Sequence, residues 1–370
     1  MPFFTIQKTF GRARVGIIHT AHGDIYTPAF IGAATRASVK ALTFSQLHAL
    51  SSQAILANTL HLMLAPGTEL IAKAGGFNAF TGWDQASFTD SGGFQALSLP
   101  DCKIDAQGVT FKSYLNGDQF RLDPAISMRA QWQIGADIHM AFDQAIDSDQ
   151  YTAVKNAMLR THTWLPQNIA AHEALVGSTT YPQYLFAVAQ GGRFKDLRET
   201  SARFVATMPV AGFGIGSLYT TAGDTAALIH FTTDLLLPQK PRHLLGMGSE
   251  PRDLFLGVEY GCDTFDCVGP TRMARNGTLY TAHGRINIKN ARYRNLFSPV
   301  DPTCDCELCQ NHSAAYLHHL FRTKEISAKI LASIHNERFV VRTVQNIRQS
   351  LLDDCFLSYK KDFLNRYYQS

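Results

Sequence analysis

The sequence predicts an α/β fold built on an irregular (β/α)8, or TIM, barrel, with N-terminal antiparallel strands before it and a metal-binding C-terminal subdomain after it. Three observations point there. About eight short apolar runs each end on a polar residue or glycine and give way to a helical stretch. The opening residues alternate apolar and polar, and three cysteines crowd into the six positions from Cys304 to Cys309. A chain of 370 residues is long enough for one large barrel with an appendage. Its 45% hydrophobic and 17% charged content is that of a globular enzyme and excludes a disordered, charge-rich tail.

Phe4 and Ile6, then Val15 and Ile17, alternate with polar neighbours, while Gly11 and His22-Gly23 supply turns. This is the pattern of short antiparallel strands over residues 1–27, capping one end of the barrel. The barrel is expected over residues 28–285. Its strand runs are Ala29–Gly32, Ala54–Asn58, Ser87–Asp90, Ile138–Asp143, Leu185–Gln190, Phe213–Gly216, His243–Gly246 and Thr264–Val268. Among the intervening helices, one starts at Thr43, where Gln46 completes a capping box ahead of Leu47 and Leu50. Between the third and fourth runs, Gly108–Lys112 and Gln119–Leu122 flank Asn116-Gly117, a pair that favours a type I′ hairpin turn. That stretch, near 97–125, is read as an insertion over the barrel mouth and not as a barrel strand. Residues 286–370 are read as a metal-binding and helical segment packed on the barrel. It ends soon after the apolar stripe Val340, Val344, Ile347 and Leu351.

Cys304, Cys306 and Cys309 lie too close together for a secreted disulfide framework, and a total of seven cysteines is odd. A tetrahedral zinc site needs one more nitrogen or sulfur ligand. His335 is the first choice, because Leu317, Leu320, Ile326, Ile330 and Ile334 fall near helical spacing and a helix can return its far end to the thiols. His318 and His319 are rivals. A closed Cys3His shell has no position for water, so one structural zinc per chain is expected. Cys102, Cys262, Cys267 and Cys355 are scattered and read as ordinary neutral thiols. The N-terminus lacks a basic region followed by an apolar run, and no stretch approaches the roughly 18 to 20 apolar residues that span a bilayer. A cytoplasmic protein without membrane contact is expected. The net charge of +4 gives only weak support for a polyanionic partner.

Residues at the carboxyl ends of barrel strands share one mouth, which gathers Asn58, Asp90, Asp143, Gln190 and Asp266. One such aspartate is ordinarily a cap or turn residue. Five polar ends in one register imply a site. Two aspartates facing each other suit glycosidic chemistry, one attacking an anomeric carbon while the other handles protons, and Asp266 and Asp90 fit that description.

TDSGGFQ (Thr89–Gln95), MAFDQ (Met140–Gln144), FDCVGPTRMARNG (Phe265–Gly277) and the cysteine cluster with its distant histidine resemble the bacterial-type tRNA-guanine transglycosylases. So do NTLHLMLAPG (Asn58–Gly67), GVTFKSYLNG (Gly108–Gly117) and INIKNAR (Ile286–Arg292), so that the resemblance covers nearly the whole chain. It implies that Asp266 is the nucleophile attacking the ribose of the wobble guanosine in tRNAs with a GUN anticodon, giving a covalent aspartyl–tRNA intermediate. Asp90 is implied as the general acid and base, protonating the departing guanine and deprotonating the incoming 7-deazaguanine base. Asp143 and Gln190 match readers of the purine edge, and Asn58 is placed with the substrate-binding group. Ser217 and Leu218 occupy the family's glycine and leucine positions. Phe94 stands for an aromatic, commonly Tyr, on one base face, and Leu245 for a Met on the other. Arg272 and Arg275 match arginines that hold the anticodon loop. The resemblance also implies a homodimer.

Departures bear on the incoming base. Where the bacterial family has FDEC, this chain has Phe142-Asp143-Gln144-Ala145, and a pattern like GGLAVGE is replaced by Gly216–Ala222. A smaller residue and missing carboxylates favour the bulkier queuine over 7-aminomethyl-7-deazaguanine. Two non-enzymatic readings compete: a catalytically silent tRNA-binding subunit, which would be expected to have lost one of the acids, and a zinc-stabilised RNA-binding module. An archaeal-type enzyme acting on the tRNA body is a weaker competitor, since those usually carry an added RNA-binding domain.

Overall fold

A computed structural model describes residues 2–216, 218 and 225–369. The opening alternation becomes β1 (Phe4–Phe10), β2 (Ala13–Thr20) and β3 (Gly23–Thr27), an antiparallel meander. Its register pairs Phe4 with Ile18 and Ile18 with Ile25, which puts three apolar side chains on one face. That face is buried together with Ile31, Leu56, Phe88, Ile138 and Phe186, plugging the end of the barrel opposite the mouth. Each such side chain removed from water contributes about 2 kcal/mol.

The barrel strands follow: β4 (Ala29–Ala33), β5 (Ala54–Ala57) and β6 (Ala86–Thr89). A separate antiparallel sheet intervenes, made of β7 (Lys103–Ile104), β8 (Val109–Lys112) and β9 (Gln119–Leu122). The barrel resumes with β10 (Ile138–Met140), β11 (Tyr184–Ala189), β12 (Gly212–Ile215), β13 (Arg242–Leu244) and β14 (Thr264–Cys267). The eight parallel strands pair in chain order and close, β14 lying against β4 from Thr264↔Ala29 to Cys267↔Gly32. They coincide with the eight apolar runs of the sequence. β6 pairs directly with β10 through Phe88↔Ile138, so the insertion between them leaves the barrel wall unbroken.

The turn of that insertion differs from the sequence reading. Lys112 pairs with Gln119, and residues 113–118 between them form a wider loop, closed by Ser113 N to Asp118 O at 2.8 Å and Gly117 N to Ser113 O at 2.9 Å. Gly117 has φ +80°, but Asn116 does not join it in the left-handed region, so the two-residue I′ turn is absent. Local side-chain bonds favour the wider loop: Ser113 Oγ accepts from Leu115 N and Asn116 Oδ1 accepts from Asp118 N.

Thr43 caps the helix Phe44–Ala49 with both bonds of the capping box formed. Beyond the barrel, β15 (Thr278–Thr281) and β16 (Gly284–Asn287) make a hairpin, and the helix Ile326–Leu352 runs for 27 residues. Its stripe Val340, Val344, Ile347 and Leu351 is buried against the barrel in the same core as Ala13, Phe255 and Val258. No helix among the described residues is long and apolar enough to cross a membrane.

Candidate active site and metal centre

Asp90 follows the last residue of β6 and is held from three directions. Its Oδ1 accepts from the backbone N–H of Thr59 at 2.9 Å and of Gly92 at 3.1 Å, and its Oδ2 from Asn58 Nδ2 at 2.6 Å and Gln95 Nε2 at 3.1 Å. The local sequence makes this possible. Gly92 sits at φ +76°, turning its N–H back onto the carboxylate, and a Cβ on Gly93 would come within 2.6 Å of the Asp143 carbonyl oxygen. Burial nevertheless dominates. It pushes the Asp90 carboxyl up to about 7 against the pull of the Thr59 and Gly92 amides, and the nearby Asp266 charge adds to the rise. Such a group divides between acid and base forms near neutrality, as a proton carrier requires.

A cavity of about 350 Å³ opens beside it, a size that suits a small-molecule site. Phe94, Leu245, Val188, Met140 and Leu56 supply apolar walls, and Asp143, Gln190, Ser91, Asp90 and Asp266 the polar ones. Asp143 lies just beyond β10, with Oδ1 accepting from Ser91 Oγ at 3.2 Å and Oδ2 from Gln190 Nε2 at 2.5 Å. Burial raises its carboxyl to about 6 despite those two bonds. The Gln190 Oε1 is buried and has no partner, which makes it an acceptor available to a ligand N–H. Phe94 is 47% exposed at the rim, Leu245 is half-buried across from it, and Ala145 lines the same space.

Asp266, in β14, presents its side chain to this cavity with 15% exposure. Oδ1 accepts from Gly246 N at 2.8 Å and from His243 Nε2 at 3.1 Å. Arg272, on the helix Gly269–Arg275, reaches the cavity rim and is exposed. Arg275 lies one turn on, half-buried, with Nε donating to Thr271 O at 2.9 Å.

The structure thus brings Asp90, Asp143, Gln190, Asp266, Phe94, Leu245 and Arg272 to one cavity. Asn58 instead turns away from it: its Nδ2 serves Asp90, and its Oδ1 caps the helix Thr59–Leu64 by accepting from His61 N at 2.9 Å. Leu218 is buried in the hydrophobic core and does not line the cavity. Ser217 lies outside the described residues. Sequence reasoning missed Thr59, Ser91, Gln95, His243 and Gly246 as partners of the acids. Thr59, Ser91 and Gln95 carried a signal, since they lie within the motifs NTLHLMLAPG and TDSGGFQ.

In the C-terminal part, Cys304, Cys306, Cys309 and His335 are all buried, with one ligand atom from each lying within 4.8 Å of the others. His335 comes from the middle of the long helix. Its Nε2 faces the Tyr280 carbonyl oxygen at 2.6 Å, which places the hydrogen there and leaves Nδ1 toward the thiols, 3.4 Å from Cys306 Sγ and 3.3 Å from Cys309 Sγ. This donor set could hold a metal ion in a closed tetrahedron. Of the rival histidines, His318 is committed to the Ile288 carbonyl oxygen at 2.8 Å and His319 is exposed. Asn336, next to His335, donates to Pro270 O and Thr278 O, both at 3.0 Å, and accepts from Tyr280 N at 3.1 Å. The metal corner is thereby tied to the helix that carries Arg272 and Arg275.

The family model for queuine tRNA-ribosyltransferase matches residues 9–369. Three curated relatives carry that name. The protein of Herpetosiphon aurantiacus is 45% identical over 370 residues, covering 98% of this chain and 92% of its own. That of Streptococcus suis is 43% identical over 359 residues, 96% of this chain and 93% of its own. That of Streptococcus uberis is 44% identical over 359 residues, with the same coverage of 96% and 93%.

Proposed function

The chain belongs to the queuine tRNA-ribosyltransferase family, and on that premise we propose that it is a tRNA-guanine transglycosylase, replacing the wobble guanine of GUN-anticodon tRNAs with a 7-deazaguanine base. The observation that carries this is one cavity lined by two carboxylates held in different ways. Asp90 is half-buried, held at both oxygens and shifted to about 7, whereas Asp266, among the described residues, is bonded at one oxygen only.

In the first half-reaction an Asp266 oxygen bonds to C1′ as the C1′–N9 bond breaks. The electron pair leaves with guanine, which takes a proton from Asp90. The covalent aspartyl–tRNA persists while guanine is exchanged for the incoming base. Asp90 then accepts the proton of that base, its nitrogen attacks C1′, and Asp266 leaves as a carboxylate. Asp143 accepts from the purine N–H edge, and Gln190 Oε1, otherwise unpartnered, takes a further donor. Phe94 and Leu245 sandwich the base plane. Arg272 and Arg275 grip the splayed loop. His335 and the three cysteines would hold one structural zinc, whose closed shell supplies no chemistry to the reaction.

The incoming base is proposed to be queuine. Ala145 leaves room at the lining, and Gln144, in place of a carboxylate, is engaged with Arg160. The loop 219–222, which bears on the same choice, lies outside the described residues. A homodimer, with one subunit catalysing and the other orienting the tRNA, is the assembly proposed from the family resemblance.

The test is trapping. Wild-type protein should form a covalent tRNA complex that survives denaturing electrophoresis, and Asp266→Asn should form none and show no guanine exchange. A complex formed by Asp266→Asn would end this reading. A competition between queuine and 7-aminomethyl-7-deazaguanine on tRNA carrying labelled guanine should favour queuine by roughly ten-fold or more, the scale of one or two mismatched hydrogen bonds. Equal use would reject the base preference alone.

A further inference from the structure

His243 lies in β13, fully buried, with its ring centroid 5.5 Å from that of Phe88. Both ring nitrogens are engaged. Nε2 is 3.1 Å from Asp266 Oδ1, and Nδ1 is 2.9 Å from Thr264 Oγ1. An ionised carboxylate only accepts, so Nε2 carries the hydrogen, and Nδ1 faces the Thr264 hydroxyl. The backbone N–H of Gly246 donates to the same Oδ1 at 2.8 Å. Among the described residues, no donor reaches Oδ2.

We propose that His243 is a positioning residue for the nucleophile: with the Gly246 N–H it occupies Oδ1 and so designates Oδ2 as the attacking oxygen. The inference rests on the reading of Asp266 as nucleophile. The two oxygens of a free carboxylate are interchangeable by rotation about Cβ–Cγ. Two donors converging on one of them fix that rotation and leave the other with unengaged lone pairs aimed into the cavity. When Oδ2 bonds to C1′ and the departing base takes both the C1′–N9 pair and the Asp90 proton, Oδ1 becomes the ester carbonyl oxygen and keeps both donors. When the ester is displaced, the same donors receive the returning negative charge. Thr264, fully buried, anchors the ring at Nδ1 and so holds Nε2 against Asp266.

The test compares His243→Phe, which keeps a ring without a donor, with His243→Gln, whose Nε2 reaches about as far as the imidazole Nε2. His243→Phe should lower kcat for guanine exchange roughly ten- to a hundred-fold, the scale of a misplaced reacting group, with KM for tRNA changed no more than about two-fold. His243→Gln should recover most of that loss. Thr264→Val, leaving the ring in place but its Nδ1 unanchored, should give an intermediate kcat and is the deciding variant if His243→Phe does not fold. Wild-type kcat in His243→Phe, equal losses in the Phe and Gln variants, or an unchanged kcat in Thr264→Val would each overturn the proposal. An Asp266→Asn variant that still exchanges guanine would instead bring down the reading beneath it.

Discussion

The barrel mouth and the cysteine corner both gather polar groups out of water, and they treat them in opposite ways. At the corner the hydrogen-bonding capacity is closed: His335 gives its second nitrogen to Tyr280, Asp305 pairs with Arg338 at 2.6 Å, and all three of the Asn336 contacts are met within the chain. At the mouth capacity is left over. Among the described residues Asp266 Oδ2 has no donor, and Gln190 Oε1 and Gln95 Oε1 are buried without partners. A buried acceptor without a donor costs about 1–3 kcal/mol, a penalty that is relieved where a substrate supplies the missing hydrogen. The difference separates groups that hold the fold from groups that await a ligand.

Asp90→Asn presses hardest on the mouth side. It keeps the shape but removes the proposed proton carrier, and exchange should fall roughly 10²- to 10⁴-fold while tRNA affinity stays near wild type. In the wild-type protein, exchange should also decline as pH rises through about 7, where Asp90 loses the proton that the leaving guanine needs. That alkaline limb should vanish in the variant. A large loss of tRNA affinity at unchanged turnover would contradict the assigned role.

Cys306→Ser presses on the corner. Structural zinc sites contribute on the order of 10 kcal/mol to folding, so opening one should lower zinc content below one per chain and lower the melting temperature before it alters kcat of the protein that remains folded. Metal analysis and calorimetry check this, and metal-free wild-type protein of full stability would refute it. Arg272→Ala, at the rim between the two regions, should weaken tRNA binding and reduce the slope of log affinity against log salt by about one phosphate contact. Binding isotherms across a salt series would show an unchanged slope if Arg272 touches no phosphate.

The weakest effect falls on an exception within the corner's own helix. Glu337 is 2% exposed, its Oε1 has no partner, and burial raises its carboxyl to about 7. Its leftover capacity should be pure penalty. The raised value means that the folded state binds its proton more tightly than the unfolded state. Its contribution is therefore favourable below the ordinary glutamate range and is lost as pH rises through about 7. Glu337→Gln should flatten that decline and raise stability at pH 8 by on the order of 2 kcal/mol relative to wild type, with little gain at pH 5. Denaturation curves at both pH values decide it.

The strand ends were legible because alternation and run length expose them. Asp90, Asp143 and Gln190 each terminate or follow an apolar run, Asp266 interrupts the last one, and His335 falls where helical spacing returns it to the thiols. What lay beyond the sequence is lateral. Asn58 looks like a fifth polar end, yet its side chain is drawn sideways to Asp90 and to its own helix. His243 opens its run and reads as a core residue until β14 places Asp266 beside it. The two-residue β7 is too short to show alternation, and the loop after Lys112 is shaped by Ser113 and Asn116 side chains that a turn dipeptide does not reveal. Periodicity reports which face a residue takes. It does not report which neighbour on the adjoining strand it meets.

The closure of β14 on β4 also has a temporal side. Asp266 pairs with Ile31 across the seam, and that contact joins residues at opposite ends of the barrel sequence. During synthesis the strands from β4 to β13 emerge with Asp90, Asp143 and Gln190 already present, but Asp266, the proposed nucleophile, arrives last. Closing so long a loop is entropically slow, and unpaired strand edges at β4 and β13 are exposed until it happens. A nascent chain therefore lacks the proposed nucleophile until the final strand docks. Truncation anywhere before Thr264 leaves an open sheet and not a slower enzyme.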